Sequence, residues 1–253
     1  METAQRVSTS LSDNFVFQRS LLAYHEACSY IIPGSVLEIG TGSGYGVEII
    51  ASHCRQFLSV DKTLPELVNI PENVLLQQMK VPPILCADSS FDSVVSFQVI
   101  EHIRDDVKMV DEVYRVLRQG GCFILSTPNA EASLTRNPWH VREYTSQTLL
   151  RLLESRFSNI RIFGVRGNST VMDYYEKNRE AVRRFRRFDP LDLEHRLPGW
   201  MLRLPYDVLN GINRRRLLRD NTTLTSSIKM SDYSVEQFRE GTLYFDLMAV
   251  AVK

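Results

Sequence analysis

The chain has 253 residues, of which 43% are hydrophobic and 24% charged, enough apolar material for one large α/β domain with a substantial core. Its 30 basic and 30 acidic residues balance, which argues against a dedicated nucleic-acid binder while leaving room for local basic clusters. No run approaches the roughly 20 apolar residues of a membrane span, and the opening METAQRVSTSLSDN lacks the apolar stretch of a secretory signal, so a cytoplasmic protein is expected.

Residues Phe15 to Ile32 alternate apolar and polar positions at helical period, and Pro33-Gly34 closes that helix. A buried strand follows at Ser35 to Ile39, then a helix from Tyr45 to Cys54 and a short strand from Phe57 ending at Asp61. Further strands are read at Val74 to Gln78, Phe91 to Phe97, Cys122 to Ser126, Ile160 to Val165 and Leu243 to Val250. Helices fall at about Arg104 to Leu117 and Ser146 to Ser155, and Gln119-Gly120-Gly121 reads as a turn. Strands alternating with helices at this spacing imply a doubly wound, seven-stranded, mostly parallel sheet in one domain spanning residues 1–253. Residues 167–241 break the alternation: polar, arginine-rich and aromatic, they form an insertion between the last two strands, expected to be a partly helical cap over the site. Cys28, Cys54, Cys86 and Cys122 form no CxxC pair and read as reduced thiols rather than a zinc site.

The densest signal is Val36-Leu37-Glu38-Ile39-Gly40-Thr41-Gly42-Ser43-Gly44-Tyr45-Gly46. A strand breaking into alternating glycines before a helix lets backbone amides approach a ligand, because glycine has no side chain to hold it off. A dinucleotide-binding loop would read G-x-G-x-x-G. Here Tyr45 stands where its third glycine belongs, and Glu38 precedes the loop. A carboxylate there repels a pyrophosphate and favours a cationic ligand group.

These residues resemble the E/D-x-G-x-G-x-G loop of the class I S-adenosylmethionine-dependent methyltransferases. Asp61 at the end of the second strand, Ser90-Phe91-Asp92-Ser93-Val94-Val95, Val99-Ile100-Glu101-His102 and Leu117-Arg118-Gln119-Gly120-Gly121 match further motifs of that family in register. The resemblance covers roughly residues 15–165 and the last strand. It implies a Rossmann-like fold with an antiparallel last strand and S-adenosylmethionine as cofactor. By the same resemblance Gly40, Gly42 and Gly44, with Tyr45 beside them, let the backbone approach the donor. Glu38 would hold the methionine ammonium and Asp61 the ribose diol, with Lys62 flanking the adenine and Met79 and Lys80 near its edge. Gln98 and Val99 would line the methyl-donating centre. The helix at residues 15–34, through Arg19 and Tyr24, would fold over the cofactor.

The acceptor side is expected from Thr127-Pro128-Asn129 and from Asn137-Pro138-Trp139-His140-Val141-Arg142-Glu143-Tyr144-Thr145, similar to an NPxHxxEYT segment of some small-molecule and glycan methyltransferases. His140 could deprotonate a hydroxyl, with Glu143 orienting it and His102 a further candidate base. Alternatively Tyr144-Thr145 simply caps a helix and the histidines brace loops. No metal-ligand cluster stands out in the spacing, so a metal-free reaction is expected. The preferred function is methyl transfer to oxygen or nitrogen of a small molecule or glycan by a monomer or homodimer. A nucleic-acid or protein methyltransferase using Arg214, Arg215 and Arg216 is the alternative, and a non-catalytic binding module the third.

Overall fold

A computed structural model of the chain describes residues 13–186, 201–202 and 227–253. Its centre is one eight-stranded sheet in the order β3-β2-β1-β4-β5-β8-β6-β7. Strands β1 (Ser35–Ile39), β2 (Gln56–Asp61), β3 (Val74–Gln78), β4 (Phe91–Phe97) and β5 (Leu117–Pro128) run parallel. β8 (Asp246–Val252) inserts antiparallel between β5 and β6 (Asn159–Gly167), and β7 (Tyr233–Gln237) pairs antiparallel with β6 at the edge.

Alternate strand residues feed two cores, as the two-residue period of a strand requires. Leu37, Ile39, Val94, Phe123, Leu125, Leu247 and Ala249 face one side, with Met109, Val110, Val113 and Val116 of α3 (Asp106–Val116) and Leu149 and Leu153 of α4 (Ser146–Glu154). Val36, Phe57, Val95, Phe97, Ile124, Met248 and Val250 face the other, with Ala23, Tyr24 and Ala27 of α1 (Asn14–Ala27) and Val47, Ile50 and Ala51 of α2 (Val47–Ala51). The apolar runs FDSVVSF and DLMAVAV are thus covered on both faces, the setting of a parallel sheet. Local signals set the helix starts. The Asp105 side chain accepts from the Lys108 backbone N–H, and Thr145 and Thr148 form a reciprocal capping box on α4.

Four expectations change in detail. The first helix ends at Ala27, with Cys28 as its cap, rather than running to Pro33-Gly34. The sheet has an eighth strand, β7, drawn from within the residues assigned to the insertion; Tyr233-Ser234-Val235-Glu236-Gln237 alternates well enough to pair with β6. The Gln119-Gly120-Gly121 turn lies inside β5, where the pairing with β4 jumps from Phe91–Leu117 to Ser93–Cys122. Gly120, with φ +77, supplies the left-handed residue of that irregularity. Finally, the helix after the glycine loop is short, ending at Ala51.

The inserted segment begins with α5 (Ser169–Arg186). Val171, Tyr174 and Tyr175 of α5 join Tyr233, Phe245, Val165 and Ala132 in a third apolar cluster, against which Phe15 of α1 packs. Arg214, Arg215 and Arg216 lie outside the described residues. No described helix is long and apolar enough to cross a membrane.

Candidate functional site

The five parallel strands end on one side of the sheet, and the first site residues emerge there. β1 ends beside the glycine loop, and Gly40, Gly42 and Gly44 adopt φ of +95, +57 and +84. At Gly40 and Gly44 close approach adds to conformation. A Cβ on Gly40 would sit 2.3 Å from Val99 Cγ2, and one on Gly44 2.6 Å from Leu67 Cδ2. At Gly42 a Cβ would meet nothing within 4 Å.

Two carboxylates flank this loop on neighbouring strands. Glu38, 1% exposed, accepts a hydrogen bond at Oε1 from the Tyr24 hydroxyl (2.7 Å) and at Oε2 from the Ser59 hydroxyl. Ser59 Oγ also lies 2.6 Å from Thr41 Oγ1. Burial pushes the Glu38 carboxyl up to about 7, against the lowering effect of the two hydroxyl donors, and nearby Asp61 adds to the rise. Asp61, at the end of β2, is fixed by backbone donors: Oδ2 accepts from Gly42 N–H and Oδ1 from Thr63 N–H, each at 2.9 Å.

Helix α1 braces this half. Tyr24 is buried under the loop, leaving no room for a Cβ at Gly46, and Tyr45 packs edge-on between Phe17 and Tyr24. Arg19 Nε sits 3.0 Å from Asp246 Oδ2, its guanidinium over the Phe15 and Phe245 rings. Arg19 thus ties α1 to the start of β8. Lys62 follows Asp61 in an exposed position, its carbonyl accepting from the Gln78 side chain (2.8 Å). Met79 donates its backbone N–H to the Asp61 carbonyl (2.9 Å), but its side chain lies in the core under α3, while Lys80 is exposed.

The other half is built after β4 and β5. Gln98 holds φ +55, a left-handed conformation that non-glycine residues rarely adopt, and its backbone N–H donates to the Ser126 carbonyl (2.9 Å). Val99 then lies against Gly40. The next turn presents Glu101 and His102. Glu101 is 1% exposed and accepts from the Thr127 hydroxyl (3.0 Å); burial pushes it up to about 7, opposed by His140 nearby. His102 is pushed down to about 4, chiefly by burial, and its Nδ1 lies 3.0 Å from the Trp139 carbonyl. The loop after β5 brings in His140, whose ring meets His102 edge-on with centroids 4.9 Å apart. His140 Nδ1 is 2.7 Å from Glu143 Oε1, and Nε2 is 2.9 Å from the Asn137 side-chain nitrogen. Glu143 in turn accepts from the Ser133 hydroxyl. The loop is clamped to the first histidine's turn, since Val141 N–H donates to the Glu101 carbonyl (2.7 Å).

Thus Glu38, the glycines and Asp61 gather on the loop side, and His102, His140 and Glu143 on the other, with Val99 touching both. Glu101 and Ser59 have no expected role from the sequence, and Thr127 and Asn137 enter there only as members of the acceptor-side segments. For Glu101 a signal was present: one charged residue in the apolar run Gln98-Val99-Ile100 before His102. For the Ser59 hydroxyl none was.

Parallel strands, a carboxylate before a glycine loop and a second carboxylate ending the next strand are the arrangement that the resemblance to class I S-adenosylmethionine-dependent methyltransferases implies. Residues 37–125 match the family profile described as a methyltransferase domain. It is 33% identical over 162 residues to a probable S-adenosylmethionine-dependent methyltransferase of Mycolicibacterium smegmatis, covering 60% of this chain and 63% of the relative. A protein of the same description from Mycobacterium tuberculosis is 32% identical over 173 residues, covering 64% of this chain and 63% of its own. The chain therefore spans less than two thirds of the length of these relatives. The YcgJ protein of Bacillus subtilis superposes with a TM-score of 0.55 at 18% identity, covering 91% of this chain and 97% of its own. A possible histamine N-methyltransferase from Thermotoga maritima does so at 0.55 and 14%, covering 94% and 92%. Both mycobacterial relatives are described as probable S-adenosylmethionine-dependent methyltransferases.

Proposed function

We propose that the chain is an enzyme that transfers the methyl group of S-adenosylmethionine to an oxygen or nitrogen of a small molecule or glycan. The observation that carries this reading is the pair of carboxylates held on either side of the loop. Asp61, its plane fixed by two backbone N–H groups, is oriented to accept hydrogen bonds from both hydroxyls of a ribose. Glu38 at the loop's base takes the methionine ammonium, directly or through water, and a cation there favours its ionised form. Gly40, Gly42 and Gly44 keep the backbone bare for the donor. Lys62 and Lys80 frame the adenine side, with Met79 present there only through its backbone, and Arg19, Tyr24 and Tyr45 hold α1 over the loop.

Gln98 and Val99 stand beside the methyl-donating centre. The strained Gln98 backbone is the kind of feature that persists where surroundings over-determine it, as at a reacting centre. Methyl transfer from a sulfonium is an in-line displacement, so most of the rate comes from aligning nucleophile, methyl and sulfur. His140, backed by Glu143 and facing His102, supports loss of the acceptor's proton. The balanced charge favours a small or glycan acceptor over a polyanion. All four cysteines are free, in keeping with the reducing cytoplasm.

Calorimetry with S-adenosylmethionine tests the donor half. Binding is expected, weakened by about 1.5–3 kcal/mol in Asp61→Ala if the diol bonds behave as charge-assisted ones. An unchanged dissociation constant would remove Asp61 from the site. A methyl-transfer screen across metabolite, glycan and RNA acceptors tests the other half, and turnover on RNA alone would replace the acceptor assignment.

A further inference from the structure

We propose that Glu101, His102 and His140 form a site for one divalent transition-metal ion, which holds an oxygen of the methyl acceptor beside the donor. The last clause rests on the methyltransferase reading; the metal site itself does not. One donor atom from each of the three residues lies within 4.8 Å of the other two. An ion bonded at about 2.1 Å to each wants its donors roughly 3–3.5 Å apart. Loading therefore draws them together by about an ångström, a side-chain movement.

The surroundings are those of a ligand set. Glu101 is buried and held by one hydroxyl, and among the described ion pairs it has no lysine or arginine. Buried carboxylates of this kind are paired or coordinate metals. Each imidazole already has its second nitrogen engaged. The Trp139 carbonyl can only accept, so His102 Nδ1 carries the proton and Nε2 presents its lone pair. Glu143 sets the same tautomer on His140, giving the carboxylate–histidine arrangement that orients metal-binding imidazoles. His140 Nε2 exchanges its contact with the Asn137 amide for the ion. Two imidazoles and one carboxylate suit zinc, iron, cobalt or nickel better than magnesium or calcium, which prefer all-oxygen sites.

Three protein donors leave coordination positions open for an acceptor hydroxyl. On the ion that hydroxyl loses its proton to water more readily, by Lewis-acid polarisation. Its oxygen then attacks the methyl carbon; the O–C bond forms as the C–S bond breaks, and the electron pair returns to sulfur as a neutral thioether. His140 acts here as a ligand, and the ion does the work a free base would otherwise do. The acceptor class that follows is a hydroxyl compound, best a vicinal diol able to chelate.

The test is titration of the metal-free full-length chain with Co2+ alone, followed by visible absorption and calorimetry. One equivalent is expected to bind with a new d–d band. Glu101→Gln and His140→Ala, checked for folding by circular dichroism and melting, should weaken it at least about 30-fold. Glu143→Gln, which changes no ligand, should weaken it about 10–100-fold. Asp61→Ala should bind Co2+ as the parent does while losing S-adenosylmethionine affinity. Saturable binding that Glu101→Gln leaves unchanged, or no saturable binding, would overturn the metal site even if S-adenosylmethionine binds normally. The site would stand, and the methyltransferase reading would fall, if Co2+ binds with this residue dependence while S-adenosylmethionine does not bind.

Discussion

Two glutamates, each 1% exposed, organise the two halves of the site in different ways. Glu38 is satisfied by hydroxyls, Tyr24 from α1 and Ser59 from β2, within the sheet's own framework. Glu101 has a single hydroxyl, Thr127, and faces two imidazoles, one of them carried on a separate loop. Burial pushes both up to about 7. The first is a closed hydrogen-bonded pedestal under a rigid loop. The second is a buried carboxyl where the turn after β4 meets the loop after β5, with one side-chain hydroxyl and two imidazoles around it. The difference teaches how two buried carboxyls can be held in one site: Glu38 by hydroxyls of the helix and strand beside it, Glu101 where two chain segments meet.

The sharpest way to separate the halves is to damage the acceptor half alone. His140→Ala should lower turnover by about 10²–10⁴-fold, the range for a group that assists proton loss. Affinity for S-adenosylmethionine should stay within about twofold in calorimetry. Normal turnover would reduce His140 to a brace for its loop. A joint loss of rate and donor affinity would show that the halves are one unit.

Within the donor half, backbone rigidity itself can be broken. Gly40→Ala combines a left-handed φ with a Cβ 2.3 Å from Val99 Cγ2, so a stability loss of about 2–4 kcal/mol is expected in chemical denaturation. Gly42→Ala has φ +57 and open space around the added carbon, so only the conformational cost of about 1–2 kcal/mol remains. Equal losses at the two positions would mean that the Val99 contact carries no weight. Since Val99 belongs to the other half, the gap between the two variants measures how firmly the halves are joined.

The two halves also differed in how far the sequence revealed them. Glu38, Gly40, Gly42 and Gly44 lie within seven residues of one another, and chain geometry alone places Asp61 on the adjacent strand. Contiguity made the donor half legible. The strand and helix order was legible for the same reason, because two-residue and 3.6-residue periods are local. His140 and Glu143 could be singled out as a dense segment, but not their meeting with Glu101 and His102. That meeting depends on a loop returning across the sheet edge, with Val141 N–H bonded to the Glu101 carbonyl. β7 was missed because its five residues sit in a polar context and gain their strand identity only from pairing with β6. The bond from the Tyr24 hydroxyl to Glu38 lies 14 residues away in sequence and has no periodic signature.

The Glu38 pedestal should be visible in pH dependence. Its folded-state value of about 7 lies above the ordinary 4.5, so the folded chain holds a proton between these values that the unfolded chain has released. The contribution to stability is fully present below about pH 4.5 and is lost as pH rises through about 7. Glu38→Gln should reduce the slope of the melting profile over that window, removing a dependence on the order of 2–3 kcal/mol while the matching share of Glu101 remains. Donor affinity should run the opposite way, strengthening in the parent as Glu38 ionises above about pH 7. Identical slopes in the parent and Glu38→Gln between pH 5 and 7 would mean that Glu38 keeps an ordinary value despite its burial.

Tyr24→Phe makes the smallest and most selective change. It deletes the 2.7 Å bond to Glu38 Oε1 while keeping the ring that packs on Tyr45 and Phe97. When Glu38 is protonated, a neutral hydrogen bond is lost, costing about 1 kcal/mol. When Glu38 is ionised the same hydroxyl stabilises a charge, and the cost rises to about 1.5–3 kcal/mol. The penalty measured by denaturation should therefore grow between pH 5 and 8, with the Glu38 titration moving to higher pH. A penalty independent of pH would show that the hydroxyl contributes only packing, and would make the Glu38 pedestal a matter of Ser59 alone.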